Sequence, residues 1–138
     1  MKVIRFAVLL IVAAVMLLTA SCGEVPEGLW EGAIYNEDTT VGTGACEIYV
    51  TVTAGDKSIV LTVRTDKEYL GDALTELGII EGTEGAYGLY IDKVNGILAS
   101  WEADSAWWGI YEDGNAALSG ADAIKISSGA KYELKYSK

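Results

Sequence analysis

The chain has 138 residues, with 10 Lys and Arg against 20 Asp and Glu, no histidine and two cysteines. This length suits one domain, and a surface so acidic has no cluster of Lys and Arg with which to displace counterions from nucleic acid. Without histidine, the commonest general base, metal ligand and triad partner is missing. The net charge of −10 instead favours solubility and disfavours direct adhesion to anionic lipid.

The N-terminus reads as an export address. Lys2 and Arg5 are followed by the apolar run Phe6–Leu18, which is shorter than the ~20 residues of a bilayer-spanning helix. Leu18-Thr19-Ala20-Ser21-Cys22 then places small residues before a cysteine and resembles the bacterial lipobox, with Thr19 where Leu is most typical. Residues 1–21 are expected to be a signal peptide removed at Cys22. The resemblance implies that Cys22 carries the lipid and anchors the chain outside the cytoplasm, on the bacterial cell membrane. Several acyl chains on one residue hold firmly where a single chain holds marginally. The competing reading is an uncleaved signal anchor. Residues 22–28 are polar, with Pro26 and Gly28, and suit a short tether. With Cys22 lipidated, Cys46 is the remaining thiol, and one Cys without His makes neither a zinc site nor a papain-like nucleophile.

Residues 29–138 are expected to form the folded domain. Residues 36–44 are rich in turn formers and read as a loop. From Cys46, apolar Ile48, Val50 and Val52 alternate with Glu47, Tyr49, Thr51 and Thr53, the period of a half-buried strand. Gly55-Asp56 turns the chain into a second strand, Ile59–Thr65. Leu70, Ala73, Leu74 and Leu77 then fall at i, i+3, i+4 and i+7 and predict a helix over 68–77, with Asp66 or Glu68 at its acidic start and Gly78 as its left-handed C-terminal residue. Gly82–Gly85 reads as a turn and Tyr87–Val94 as a strand. Asn95-Gly96 predicts a type I′ hairpin with Ile97–Trp101 as the returning strand. Ala106–Glu112, a turn at Asp113-Gly114, a short strand at Ile124 and Ile126, and a last strand at Tyr132–Tyr136 complete the chain. A hairpin, one helix and further strands predict an α+β fold: a β-grasp-like mixed sheet with one short packed helix, in two layers.

Five stretches carry a further likeness: Tyr35–Gly42, Leu70–Leu74, Glu84–Ile91, Val94–Ile97 and Trp107–Tyr111. Together they resemble the transcobalamin-like C-terminal domain family, found alone in bacterial lipoproteins and at the end of animal cobalamin carriers. The resemblance implies a β-grasp-like fold. It also implies a Trp-containing strand, here Trp107–Tyr111, that approaches a corrinoid. Gly109 stands where the carriers use a polar residue, and Ala116 where bacterial members often have an aromatic one.

Trp101, Trp107, Trp108 and Tyr111 lie close together in the chain. In a strand, Trp107, Gly109 and Tyr111 share one face and Trp108 and Ile110 the other. Trp108 and Ile110 are expected in the core. Trp107 and Tyr111 would then flank Gly109 on the outer face and leave a shallow slot for a flat ligand. Alternatively, Gly109 merely relieves crowding and the segment Leu29–Tyr35 covers Trp107. No combination of residues supplies nucleophile, base and oxyanion donor, so the domain reads as non-catalytic. There is no calcium-loop pattern and no phosphate-binding fingerprint.

Two functions remain at this point. One is a ligand-binding module using Trp101, Trp107, Gly109 and Tyr111, with cobalamin or another corrinoid as the candidate ligand and no cofactor required. The other is a structural or protein-interaction domain with no small-molecule ligand. Neither implies nucleic acid.

Overall fold

A computed structural model describes residues 28–138. The signal segment, Cys22 and all of the tether but Gly28 lie outside the described residues. In chain order the elements are β1 (Thr39–Gly42), β2 (Cys46–Ala54), β3 (Lys57–Thr65), α1 (Leu70–Glu76), β4 (Ile80–Gly85), β5 (Gly88–Val94), β6 (Ile97–Leu98), α2 (Trp101–Asp104), β7 (Trp107–Glu112), β8 (Asn115–Ala116), a 3-10 turn at Ala121–Ala123, and β9 (Lys131–Ser137). Six strands form a mixed sheet in the order β1-β3-β2-β9-β7-β8, and β4-β5-β6 form a second sheet. Among the described residues, no helix is long and apolar enough to cross a membrane.

The β2–β3 hairpin follows the alternation in its sequence. Ile48, Val50 and Val52 on β2 and Ile59, Leu61 and Val63 on β3 are buried, whereas Tyr49, Thr51 and Thr53 face outward. Pairing of Ala54 with Lys57 leaves Gly55-Asp56 as the two-residue turn. After the helix and the second sheet, β9 returns to the middle of the large sheet and pairs with β2 in parallel. A hairpin, a crossing helix and a final strand parallel to the first strand of that hairpin make the β-grasp-like arrangement.

Helix α1 presents Leu70, Ala73 and Leu74, all fully buried, to the hydrophobic core that it shares with both sheets. Gly78 follows it with φ +70°, as its place beyond the C-cap requires. The helix begins at Leu70 rather than residue 68. Tyr69 is extended and bridges Lys125, and the Leu70 N–H donates to the Ile124 carbonyl at 2.9 Å. The expected acidic start is used elsewhere: Asp66 accepts the Ala45 N–H at 2.9 Å, and Glu68 pairs with Lys125 at 3.1 Å.

Four local expectations are corrected. The loop at 36–44 contains β1, an edge strand parallel to β3 whose pairing partner lies far along the chain. Gly82–Gly85 belongs to β4, and its pairing with β5 shifts register between Glu81 and Gly82. Gly82 lies at that bulge, where a Cβ would clash with the Tyr90 carbonyl, and the turn falls at Ala86-Tyr87. The returning strand ends at Leu98, because Ser100 caps α2, its Oγ accepting the Ala103 N–H at 3.1 Å. Trp101 is therefore helical. The short strand at Ile124 and Ile126 reduces to the Tyr69–Lys125 bridge.

The small sheet and α1 together form the layer opposite the large sheet. Ile79, Ile80, Ile91, Val94 and Ile97 reach the common core from that side. Asn95 and Gly96, with φ of +52° and +79°, make the predicted type I′ turn.

Candidate functional site

An open groove of about 970 Å³ lies where the two sheets meet at α2. It is lined by Tyr90, Asp92, Leu98, Ala99, Ser100, Trp101, Glu102 and Trp107. On β5, Leu89 and Ile91 turn inward, which sends Tyr90 and Asp92 to the groove side. Thr83 donates to Asp92 Oδ2 at 3.2 Å, and the Ala99 N–H donates to the Asp92 carbonyl at 2.8 Å. The second bond fixes the exit from β6. The capped turn of α2 then projects Trp101, and Ser105, at φ +54°, ends the helix so that β7 can start at Trp107.

Four large apolar side chains stand exposed on this groove: Tyr90 at 48 %, Leu98 at 58 %, Trp101 at 63 % and Trp107 at 40 %. Exposed apolar groups that converge on one concavity mark interaction sites, whereas scattered ones do not.

Strand β7 divides its residues as the alternation predicts. Trp108 is buried, donates its indole N–H to the Ile97 carbonyl at 3.1 Å, and meets Tyr136 edge-on with ring centroids 5.6 Å apart. Ile110 packs against the same core. On the outer face, the rings of Trp107 and Tyr111 close over Gly109. A Cβ at that position would lie 2.9 Å from Trp107 Cζ3 and 3.1 Å from Tyr111 Cε2. The glycine thus makes room for the two rings. The Leu29–Tyr35 segment runs elsewhere: Trp30 donates its indole N–H to the Ala54 carbonyl, and Ile34 and Tyr35 dock on Asn95.

The structure therefore joins Trp101 and Trp107 in one groove and leaves Gly109 and Tyr111 outside its lining. Tyr90 and Leu98 were not singled out from the sequence. The alternation of β5 already sets Tyr90 beside Asp92 on the outer face. For Leu98, an apolar residue paired with half-exposed Lys93 past a tight turn was the available signal.

The electrostatics of the groove are one-sided. Asp92 and Glu102 line it, and among the described residues no Lys or Arg does. Nearby, burial pushes the Tyr136 phenol above its ordinary value and Asp104 adds to that shift. Among the described residues, no three His, Cys, Asp or Glu side chains come together as a metal-holding group.

Fold and groove together define a small α+β domain with an aromatic concavity at the junction of its two sheets. The chain belongs to the family described as "Domain of unknown function (DUF4430)", which matches residues 68–138, just over half of its length. A crystal structure from Ruminococcus gnavus ATCC 29149, provisionally described as a metal-binding protein, is 33 % identical with a TM-score of 0.64. That match covers 68 % of this chain and 98 % of the Ruminococcus chain. Haptocorrin in complex with cobinamide (Cbi) shares the fold at 20 % identity and a TM-score of 0.51. There the match covers 67 % of this chain and 25 % of haptocorrin, so the chain spans about a quarter of that protein's length. No curated protein matches the chain significantly.

Proposed function

We propose that this protein is a non-catalytic, extracytoplasmic ligand-binding module, lipid-anchored through Cys22, whose groove takes a flat small molecule of the corrinoid class. The observation that carries the reading is the convergence of Tyr90, Leu98, Trp101 and Trp107, all exposed, on one groove. Its volume of about 970 Å³ falls within the ~300–1,000 Å³ usual for small-molecule sites. Aromatic side chains there offer stacking area, and the Ser100 hydroxyl and backbone groups of the β6–α2 connection offer hydrogen bonds. Support for the corrinoid class comes from the five stretches that resemble transcobalamin-like domains and from the fold shared with haptocorrin. The likeness to haptocorrin is one of fold, so the ligand itself rests on the groove.

Titration of the purified protein with cyanocobalamin or cobinamide, followed by tryptophan fluorescence, tests the proposal. Saturable quenching beyond the inner-filter correction, lost in Trp101→Ala, is the expected result. No quenching at ligand levels well above micromolar overturns it and leaves a protein-docking surface as the better reading of the same groove. Labelled palmitate incorporated in cells, and lost in Cys22→Ser, tests the anchor separately.

A further inference from the structure

The charge of the groove narrows what it can hold. Asp92 and Glu102 are its carboxylates, and among the described residues no Lys or Arg lines it. The ion pairs of the described residues all lie elsewhere: Arg64 with Glu47, Lys67 with Glu76, Lys93 with Glu81 and Lys125 with Glu68. Lys93 follows Asp92 in the chain and pairs with Leu98 across the hairpin, but its ammonium is engaged by Glu81 at 3.5 Å and it is not among the residues lining the groove. The Thr83 hydroxyl holds Asp92 by one of its oxygens, leaving the other carboxylate oxygen without a hydrogen-bond partner among the described side chains. The indole and phenol rings beside these carboxylates carry negative π faces that attract positive charge. The surrounding protein, at −10 overall, repels anions.

We infer that the groove selects planar organic cations, with the ring stacked against Trp101 and Trp107 and the positive charge held by Asp92 and Glu102. This deepens the small-molecule reading above and rests on it. Each electrostatic contribution is modest at a half-open site, about severalfold in affinity, so their sum gives a preference of about tenfold over a neutral ligand of the same shape.

Three bicyclic probes of similar area separate charge from stacking: cationic N-methylquinolinium, neutral quinoline N-oxide and anionic 1-naphthoate. Calorimetric titration of the purified protein should give the cation about tenfold tighter binding than the neutral probe, and the anion the weakest. Added salt should weaken the cation and leave the neutral probe unchanged. The double variant Asp92→Asn, Glu102→Gln should bring the cation down to the affinity of the neutral probe, with circular dichroism confirming that it is folded. The salt series on the unaltered protein provides the same discrimination without mutation. Equal binding of cation and neutral probe, or a cation affinity indifferent to salt and to the double variant, overturns the charge preference and leaves the small-molecule reading standing. Corrinoid binding with no binding of any probe at millimolar concentration overturns this inference alone. Failure of the probes and the corrinoids together overturns both.

Discussion

Asn95 and Tyr35 exchange two hydrogen bonds: the Tyr35 N–H donates to Asn95 Oδ1 at 2.9 Å, and Asn95 Nδ2 donates to the Tyr35 carbonyl at 2.8 Å. The Asn95 side chain is completely buried, and its own carbonyl accepts the Ile34 N–H at 3.0 Å. One residue therefore does two things. It takes the left-handed conformation that opens the β5–β6 turn, and it fastens the N-terminal strap to the small sheet. Asn95→Gly keeps the turn and removes the strap bonds, and should cost about 2–3 kcal/mol because the Tyr35 backbone groups lose their partners. Asn95→Ala should cost about 1 kcal/mol more, for the strain of a Cβ at φ +52°. Urea midpoints of the two variants check both values, and an Asn95→Gly protein as stable as its parent would refute the strap.

Trp108 ties the large sheet to the small one through its bond to the Ile97 carbonyl. Trp108→Phe retains most of the apolar volume but leaves that carbonyl without its donor and alters the edge contact with Tyr136. A loss of about 2 kcal/mol is expected by denaturant unfolding.

Gly109→Ala places a methyl group against the far ends of the Trp107 and Tyr111 rings. Both rings can swing outward, so stability should fall by about 1 kcal/mol or less. Because Trp107 also lines the groove, the same variant should change ligand affinity and tryptophan emission measurably. An unchanged affinity would separate the β7 surface from the binding site.

Trp101→Ala tests the groove with little structural risk. Trp101 is exposed on a single helical turn, and its removal should alter stability by about 0.5 kcal/mol or less while abolishing the fluorescence response to ligand. Thermal unfolding and titration of one preparation give both readings.

The phenols of Tyr132 and Tyr136 are raised above their ordinary value, in both cases mainly by burial, with Glu112 adding to the shift at Tyr132 and Asp104 at Tyr136. The unfolded chain ionises its tyrosines near ~10. The folded state therefore retains phenolic protons that the unfolded state has lost. Stability should be intact below about pH 10 and decline as pH rises through and beyond it. Urea unfolding across this range should show the decline, and Tyr132→Phe should flatten it.

Local chemistry made much of the architecture legible. The period-two runs of β2 and β3 need only their own alternation, α1 only its apolar stripe, and Asn95-Gly96 only its tolerance of positive φ. What escaped lies where local and long-range signals disagree. Thr39–Gly42 carries turn formers, and its strand character comes from β3, beside which it lies in parallel. Ile80–Gly85 is half glycine or threonine by composition and becomes a strand because β5 pairs with it around a bulge. At Trp101, the apolar run that continues from Ile97 masked a helix start that Ser100 caps.

By its own pattern the sequence determined the α+β class, the hairpin, the helix and the inward face of Trp108, since each depends on residues a few positions apart. Tertiary structure decided that the strands divide into two sheets and that Tyr90, Leu98, Trp101 and Trp107 meet in one groove. Those side chains come from β5, β6, α2 and β7, and their convergence depends on how the small sheet and the α2 turn settle against the large sheet. That placement follows from burying Ile91, Val94, Ile97 and Trp108 in a shared core, which no single segment specifies.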